Sequence, residues 1–492
     1  MRKNSLQQNA LLSGIQKLFS IIFPLITFPY VSRILPITTI GKVNFANSII
    51  AYFVLIAGLG VNNYAIREGA KVRHDKHKLE KLCSEIFTIN VISTVIAYIL
   101  LGGLYLIWPQ MRGYSIFLLI ASFNIIGGTI GIAWLYSIFE DYMYITIRTI
   151  AFQILSLVLM FTFVRTATDG SKYMCISVIA AIGANILNLI HSRKYIKLRL
   201  TRNVNWKQHM KPIMVIFASS IAITIYVNSD VTILGWIKGD YEVGIYSIAV
   251  KFYNIFKQIV VAMIIVALPR ISTYLGNGRI EEYKKTAASL FIFLLSFTIP
   301  IVIGLICVAD LIVPLVTGNE YMQSIKPLQI LAGSLLFAVL ATFATYVLIL
   351  PNRLEKKQLQ ATIGSSIVNI VLNFILIPKW GVCVPAFTTL VSELLVFSIE
   401  TYSFKINDNQ EIFKVIFSMK WKNTTPIIIG VIFIILTTSI IRNIEVNILS
   451  KLGLDIAISF IGYISILLAF KSEGLEFLRS AIGRNIEDKE TL

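Results

Sequence analysis

Six ionisable residues stand where an apolar chain should have none: Lys17, Arg148, Asp230, Lys251, Lys257 and Glu393. Each lies inside an apolar run of about 20 residues, the length that crosses a hydrocarbon core about 30 Å thick. A charge at that depth is costly, so each is a candidate for handling an ion or a charged ligand. At about 1.5 Å per residue, Lys17 and Arg148 lie roughly 8–9 Å inside the same face. Two cations at one depth in a wet cavity could clamp a pyrophosphate. The plainer alternative is that both snorkel to headgroups. Asp230 and Lys251 lie roughly 9 and 12 Å inside the opposite face, on adjoining spans. They could form a structural ion pair or an ion-coupled switch. Lys251, Asn254 and Gln258 are three and four residues apart and share one helix face, a plausible cavity lining. Lys257 points elsewhere. Glu393 is near the midplane with no sequence neighbour to neutralise it. It is the leading candidate for proton coupling, either protonated or paired with Lys257. Arg33 and Glu400 lie near span ends, where snorkelling is expected.

These residues need helices to hold them. The chain of 492 residues is 56% hydrophobic and only 14% charged, too apolar to cover itself with polar surface. Its apolar stretches, from 11–35 to 453–470, number about fourteen. They are continuous, so helices rather than a barrel are expected. The net charge of +18 comes from lysines and arginines concentrated in every second gap. That pattern is the positive-inside signature, not a nucleic-acid face. It puts both termini in the cytoplasm, which requires an even number of spans. No gap is long enough for a folded extramembrane domain, which argues against a membrane polymerase or glycosyltransferase. No phosphate-cradling loop, metal-ligand spacing or cofactor motif is present, and no cofactor is expected. His74 and His77 are three apart, with no third ligand near. Gly58, Gly60, Gly127, Gly128 and Gly131 read as packing or hinge positions, and Pro24, Pro29 and Pro300 as places where a span can bend. Asn185, Asn188, Asn369 and Asn373 are expected to bond between helices, with sugar hydroxyls as an alternative partner.

One short pattern occurs twice. Ile34-Leu35 precede Gly41 and Ala46; Ile233-Leu234 precede Gly244 and Ala249. The offset is about six spans, which suggests two parallel six-helix lobes.

The first hairpin reads PLITFPYVSRIL, then a glycine, then NFANSIIAYF. The second reads NSDVTILGWIKGDYEVGIYSIAVKFYNIF and runs on to ALPRIS. These segments resemble the Wzx-type polysaccharide flippases of the multidrug/oligosaccharidyl-lipid/polysaccharide exporter superfamily. The resemblance implies an all-α polytopic protein with two six-helix lobes in a V-shaped arrangement, 1–205 and 206–410. A C-terminal helix pair and tail, 411–492, completes it. It implies a non-enzymatic transporter in the bacterial cytoplasmic membrane. The substrate would be an undecaprenyl-pyrophosphate-linked oligosaccharide for capsule, O-antigen or exopolysaccharide, moved by alternating access through a cationic cavity. Lys17, Arg148, Lys251, Lys257 and Asn254 would bind it. Glu393 and Asp230 would couple transport to protons or sodium. Polymerase and chain-length proteins of the same pathway are the partners such a flippase implies. Drug-exporting cousins use carboxylates in the first lobe. Here no interior Asp or Glu is expected there, which counts against the alternative of a multidrug/cation antiporter.

Overall fold

The computed structural model describes residues 6–407 and 409–477. Among these residues the chain is helical, with no strand. Fourteen helices are long and apolar enough to cross a membrane. Many of their large apolar side chains face outward: Ile107 is 83% exposed and Leu106 73%. Such faces are tolerable in lipid and not in water.

The chain divides into two compact units, Met1–Gly244 and Ile245–Leu492. The first contains α1 (Leu6–Ile34), α2 (Ile37–Gly58), α3 (Val61–Val72), α4 (Lys76–Ile107), α5 (Ser115–Gly131), α6 (Ala133–Phe139), α7 (Tyr142–Phe163), α8 (Gly170–His191) and α9 (Trp206–Lys238). Helix α10 (Asp240–Gly276) opens at the end of the first unit and continues into the second. The second unit adds α11 (Ile280–Thr317), α12 (Ile325–Phe343), α13 (Glu355–Trp380), α14 (Cys383–Ile406), α15 (Gln410–Ile416), α16 (Trp421–Arg442) and α17 (Ile448–Ala469).

Two spans of the first unit are broken, as their glycines suggested. Leu59 and Gly60 take left-handed backbone conformations between α2 and α3. The break leaves the carbonyl of Ala57 without a helical donor. Asn90 and Ser93 of α4 supply one each, at 2.6 and 2.5 Å. Ile132 at φ +36° separates α5 from α6. That conformation is strained for a β-branched residue and persists only where the surroundings enforce it. Asn188 of α8 donates to the Gly131 carbonyl at 2.6 Å, and Asn185 to Gly127 at 2.9 Å. The two asparagines thus bond between helices, as expected. The repeated glycines are reciprocal. A Cβ on Gly41 would lie 1.8 Å from the Asp240 carbonyl oxygen, and one on Gly244 would lie 2.3 Å from that of Ile37. Each glycine lets the start of the other's helix approach its backbone.

In the second unit α12 continues as a π-helical segment, Ala344–Ile349. Such segments carry misaligned carbonyls and often mark functional positions. Buried Tyr283 of α11 donates to the Val347 carbonyl at 2.9 Å.

Candidate functional site

Arg148 of α7 is buried, only 8% exposed, and turned inward rather than snorkelling to the headgroups. Its guanidinium lies over the Tyr144 ring, 5.9 Å from the centroid. Its Nη1 is 3.4 Å from Asn185 Oδ1, a weak contact. Its Nε is buried and has no hydrogen-bond partner among the described residues. No carboxylate pairs with it among those residues. A buried cation so thinly satisfied retains hydrogen-bonding capacity for an anion. The floor beneath it is aromatic: Tyr144 stacks on His191 at 4.0 Å and on Tyr136 at 5.1 Å. Just outside the span, Tyr195 closes this floor by donating to Asp141. Burial, and then the Asp141 carboxylate, push its hydroxyl well above the usual phenol range.

Lys17 sits on α1; its side chain lies outside the described residues. Its depth follows from the backbone. Thr146 donates to the Leu12 carbonyl and Tyr30 to that of Val164, each pair 134 residues apart. The Tyr30 hydroxyl is also 3.5 Å from the Phe161 carbonyl, so helices α1 and α7 run parallel with residues i and about i+131 to i+134 level. Lys17 is level with positions 148–151, so the two differ in depth by at most roughly 4.5 Å.

The second unit holds the other charges. Lys257 Nζ is 2.9 Å from Glu393 Oε1, and Tyr253 donates to the same oxygen at 3.3 Å. Lys257 also donates to the Tyr253 hydroxyl at 3.2 Å. Of the two readings open for Glu393, the structure shows pairing with Lys257. Lys251 is half-buried, while Asn254 and Gln258 are exposed. Asp230 is buried in the first unit, in the α9 segment where Thr232 bonds Ser48 and Tyr52 of α2. Asn369 and Asn373 close a ring of hydrogen bonds with Thr388, joining α13 to α14.

Two expectations are corrected. Glu400 does not snorkel. It is fully buried, and Thr345 of the π-helical segment donates to its carboxylate at 2.9–3.0 Å. The first unit does contain a buried carboxylate on a spanning helix. Glu85 of α4 is 4% exposed and lies 2.8 Å from His209 Nε2. The His209 Nδ1 lies 2.7 Å from the Tyr64 hydroxyl, and Glu85 also accepts from the Asn205 backbone at 3.1 Å. Glu85 begins a hydrophobic run and reads as a boundary charge, and its partner is 124 residues away. A histidine and a glutamate at span ends are the sole local signal.

A family model described as "Polysaccharide biosynthesis protein" matches residues 6–275, more than half of the chain. The chain belongs to this family, the Wzx-type group to which its hairpins point. A second model, MatE, matches residues 215–375. The chain is 24% identical to a candidate O-antigen transporter of Escherichia coli (strain K12), over 81% of this chain and 96% of that one. It is 23% identical to a candidate O-antigen transporter of Shigella dysenteriae, over 76% and 94%. Among solved structures, the lipid II flippase MurJ in an inward closed conformation aligns with a TM-score of 0.63 at 17% identity, covering 92% of this chain and 98% of that one. A MOP-superfamily transporter from Pyrococcus furiosus aligns at 0.56 and 15% identity, covering 82% and 94%. These two likenesses establish the fold.

Proposed function

We propose that this family member flips undecaprenyl-pyrophosphate-linked oligosaccharides from the inner to the outer leaflet of the bacterial cytoplasmic membrane. It does so without catalysing a covalent step, by alternating access between lobes 1–205 and 206–410, with 411–492 as an appended pair and tail. The basic gaps support cytoplasmic termini. The observation that carries the reading is Arg148: a cation buried in a span, only weakly bonded, beside a strained helix break and level to within a turn with Lys17. A bidentate guanidinium suits a diphosphate, and broken helices border transported ligands in other carriers. The family match and the O-antigen relatives support the same substrate class. Lys251, Asn254 and Lys257 extend the binding surface in the second lobe, and Glu393 with Asp230 couples transport to protons or sodium.

The test is export of surface polysaccharide in a deletion strain complemented with variants. Arg148→Ala and Lys17→Ala should each impair export at normal protein levels, with lipid-linked repeat units accumulating on the inner leaflet. Full export from the double variant refutes the pyrophosphate role. The antiporter alternative rests on the MatE match. It gains little from Glu85, whose carboxylate is engaged by His209 and Asn205. Unchanged resistance to cationic drugs on expression removes it.

A further inference from the structure

A cavity of about 810 Å³ opens on the basic-gap side of the second unit, lined by none of the residues assigned above. It is walled by the end of α10, the first turns of α11, the α15–α16 junction and the segment after α17. Six cations line it: Arg270, Arg279, Lys284, Lys285, Lys420 and Lys422. Four carboxylates also line it, and three of them are engaged. Glu282 accepts from Arg279 at 2.8 Å, Glu281 from Lys284 at 2.8 Å, and Glu473 lies 3.6 Å from Lys420. Arg270, Lys285 and Lys422 have no carboxylate partner among the described residues.

The arginines are held, not loose. Tyr274 lies between them, with the Arg279 guanidinium 5.0 Å and the Arg270 guanidinium 5.6 Å from its ring centroid. Arg270 Nε donates to the Tyr274 hydroxyl at 2.9 Å, which fixes the fork while leaving its terminal nitrogens to the cavity. Ser289 and Thr286 add hydroxyls, and Ile292, Val415 and Phe477 supply an apolar wall. The preset Arg270 fork, the unpaired lysines Lys285 and Lys422, and hydroxyls are the donor set for a phosphate. An apolar wall at a helix-bundle rim suits the acyl part of a lipid. Basic pockets between spanning helices on this side of a membrane are where anionic headgroups bind.

We infer that this cavity is a binding site for a phosphate group, that of an anionic membrane lipid or free phosphate. It is independent of the substrate path through Arg148. The test uses the full-length protein, stripped of lipid in detergent. One arm offers phosphatidylcholine vesicles with and without phosphatidylglycerol, then counts retained lipid by native mass spectrometry. The other offers inorganic phosphate and reads the shift in thermal unfolding. Lys285→Ala/Lys422→Ala removes two exposed, unpaired charges and should weaken binding by roughly tenfold or more, at about 1 kcal/mol per basic residue near an anionic surface. Lys76→Ala/Lys81→Ala removes the same charge from the same side of the first unit and should leave binding unchanged. Retention of phosphatidylglycerol lost only in the first pair identifies the lipid. A phosphate-induced shift lost only in the first pair identifies the free anion. No binding in either arm, or equal loss in both pairs, overturns the inference.

Discussion

The Lys257–Glu393 pair yields an asymmetric prediction. At 2.9 Å, two unit charges attract by about 6 kcal/mol at an effective dielectric of about 20. Much of that offsets desolvation, so the informative quantity is what each partner does when left alone. The Glu393 side chain is 7% exposed and the Lys257 side chain 28%. Lys257→Met keeps the stem and strands Glu393 with only the Tyr253 hydroxyl. An orphaned, nearly dry carboxylate should lower stability by about 3–5 kcal/mol. Glu393→Gln leaves Lys257, the more exposed partner, its bond to Tyr253 and a neutral amide oxygen beside it, for a cost of about 1–2 kcal/mol. The double variant removes both charges. It should be more stable than Lys257→Met alone, with a coupling energy of about 1–3 kcal/mol. Denaturant unfolding of all four proteins in the same micelles measures this cycle. Equal single-variant losses, or a double variant equal to their sum, would refute the reasoning.

Three further outcomes follow from the packing and from one loop between spans. His209→Ala strands the Tyr64 hydroxyl and leaves Glu85 with the Asn205 amide alone, so it should lower stability by about 3 kcal/mol, against about 1 for Tyr64→Phe; an unchanged unfolding midpoint would show the cluster to be dispensable. Gly41→Ala and Gly244→Ala place a Cβ against fixed backbone and should each cost at least about 2 kcal/mol, whereas Gly128→Ala, with nothing within 4 Å, should be neutral or stabilising; thermal unfolding of the three separates them. Asp169, between spans, accepts from Lys172, from the Arg165 and Thr166 amides and from the Thr166 hydroxyl, with Lys172 contributing most to holding its carboxyl well below the usual range. A depressed carboxylate stabilises fully above its unfolded pKa of about 3.9 and loses that contribution as pH falls through its lower folded pKa. Asp169→Asn should therefore destabilise at neutral pH, with the deficit shrinking below about pH 4 in melts across the acid range.

The fourteen spans were legible because lipid imposes one requirement, a continuous apolar run, and it is written locally. Their ends were less so. The run 287–309 belongs to a helix of residues 280–317, because helices extend past the hydrocarbon into headgroups, where hydropathy has no say. The breaks were half legible. Gly60 and Gly131 flagged the right places, yet Ile132 takes the left-handed turn at the second, held by an asparagine 57 residues away. Lys257 and Glu393 could be matched because each demanded a counter-charge and few were on offer. Glu400 could not be placed, because its donor belongs to a π-helical segment with no pattern of its own. The Glu85–His209–Tyr64 cluster was hidden for the opposite reason. Its members sit at span ends, where charges are ordinary, and only the tertiary packing of α3, α4 and α9 makes them a buried set.

The charges inside the two units are thus in different states, and that difference bears on mechanism. Arg148 is weakly bonded, while Lys257 is paired with Glu393. A lysine cannot give its full charge to a buried carboxylate and to a pyrophosphate at once. In the proposed cycle, the Glu393 carboxylate and a substrate phosphate would compete for the Lys257 ammonium, so each would weaken the other's hold on it. Linkage makes the two effects equal in free energy. By the same logic, Arg148, which has no carboxylate partner among the described residues, would contribute affinity without that competition.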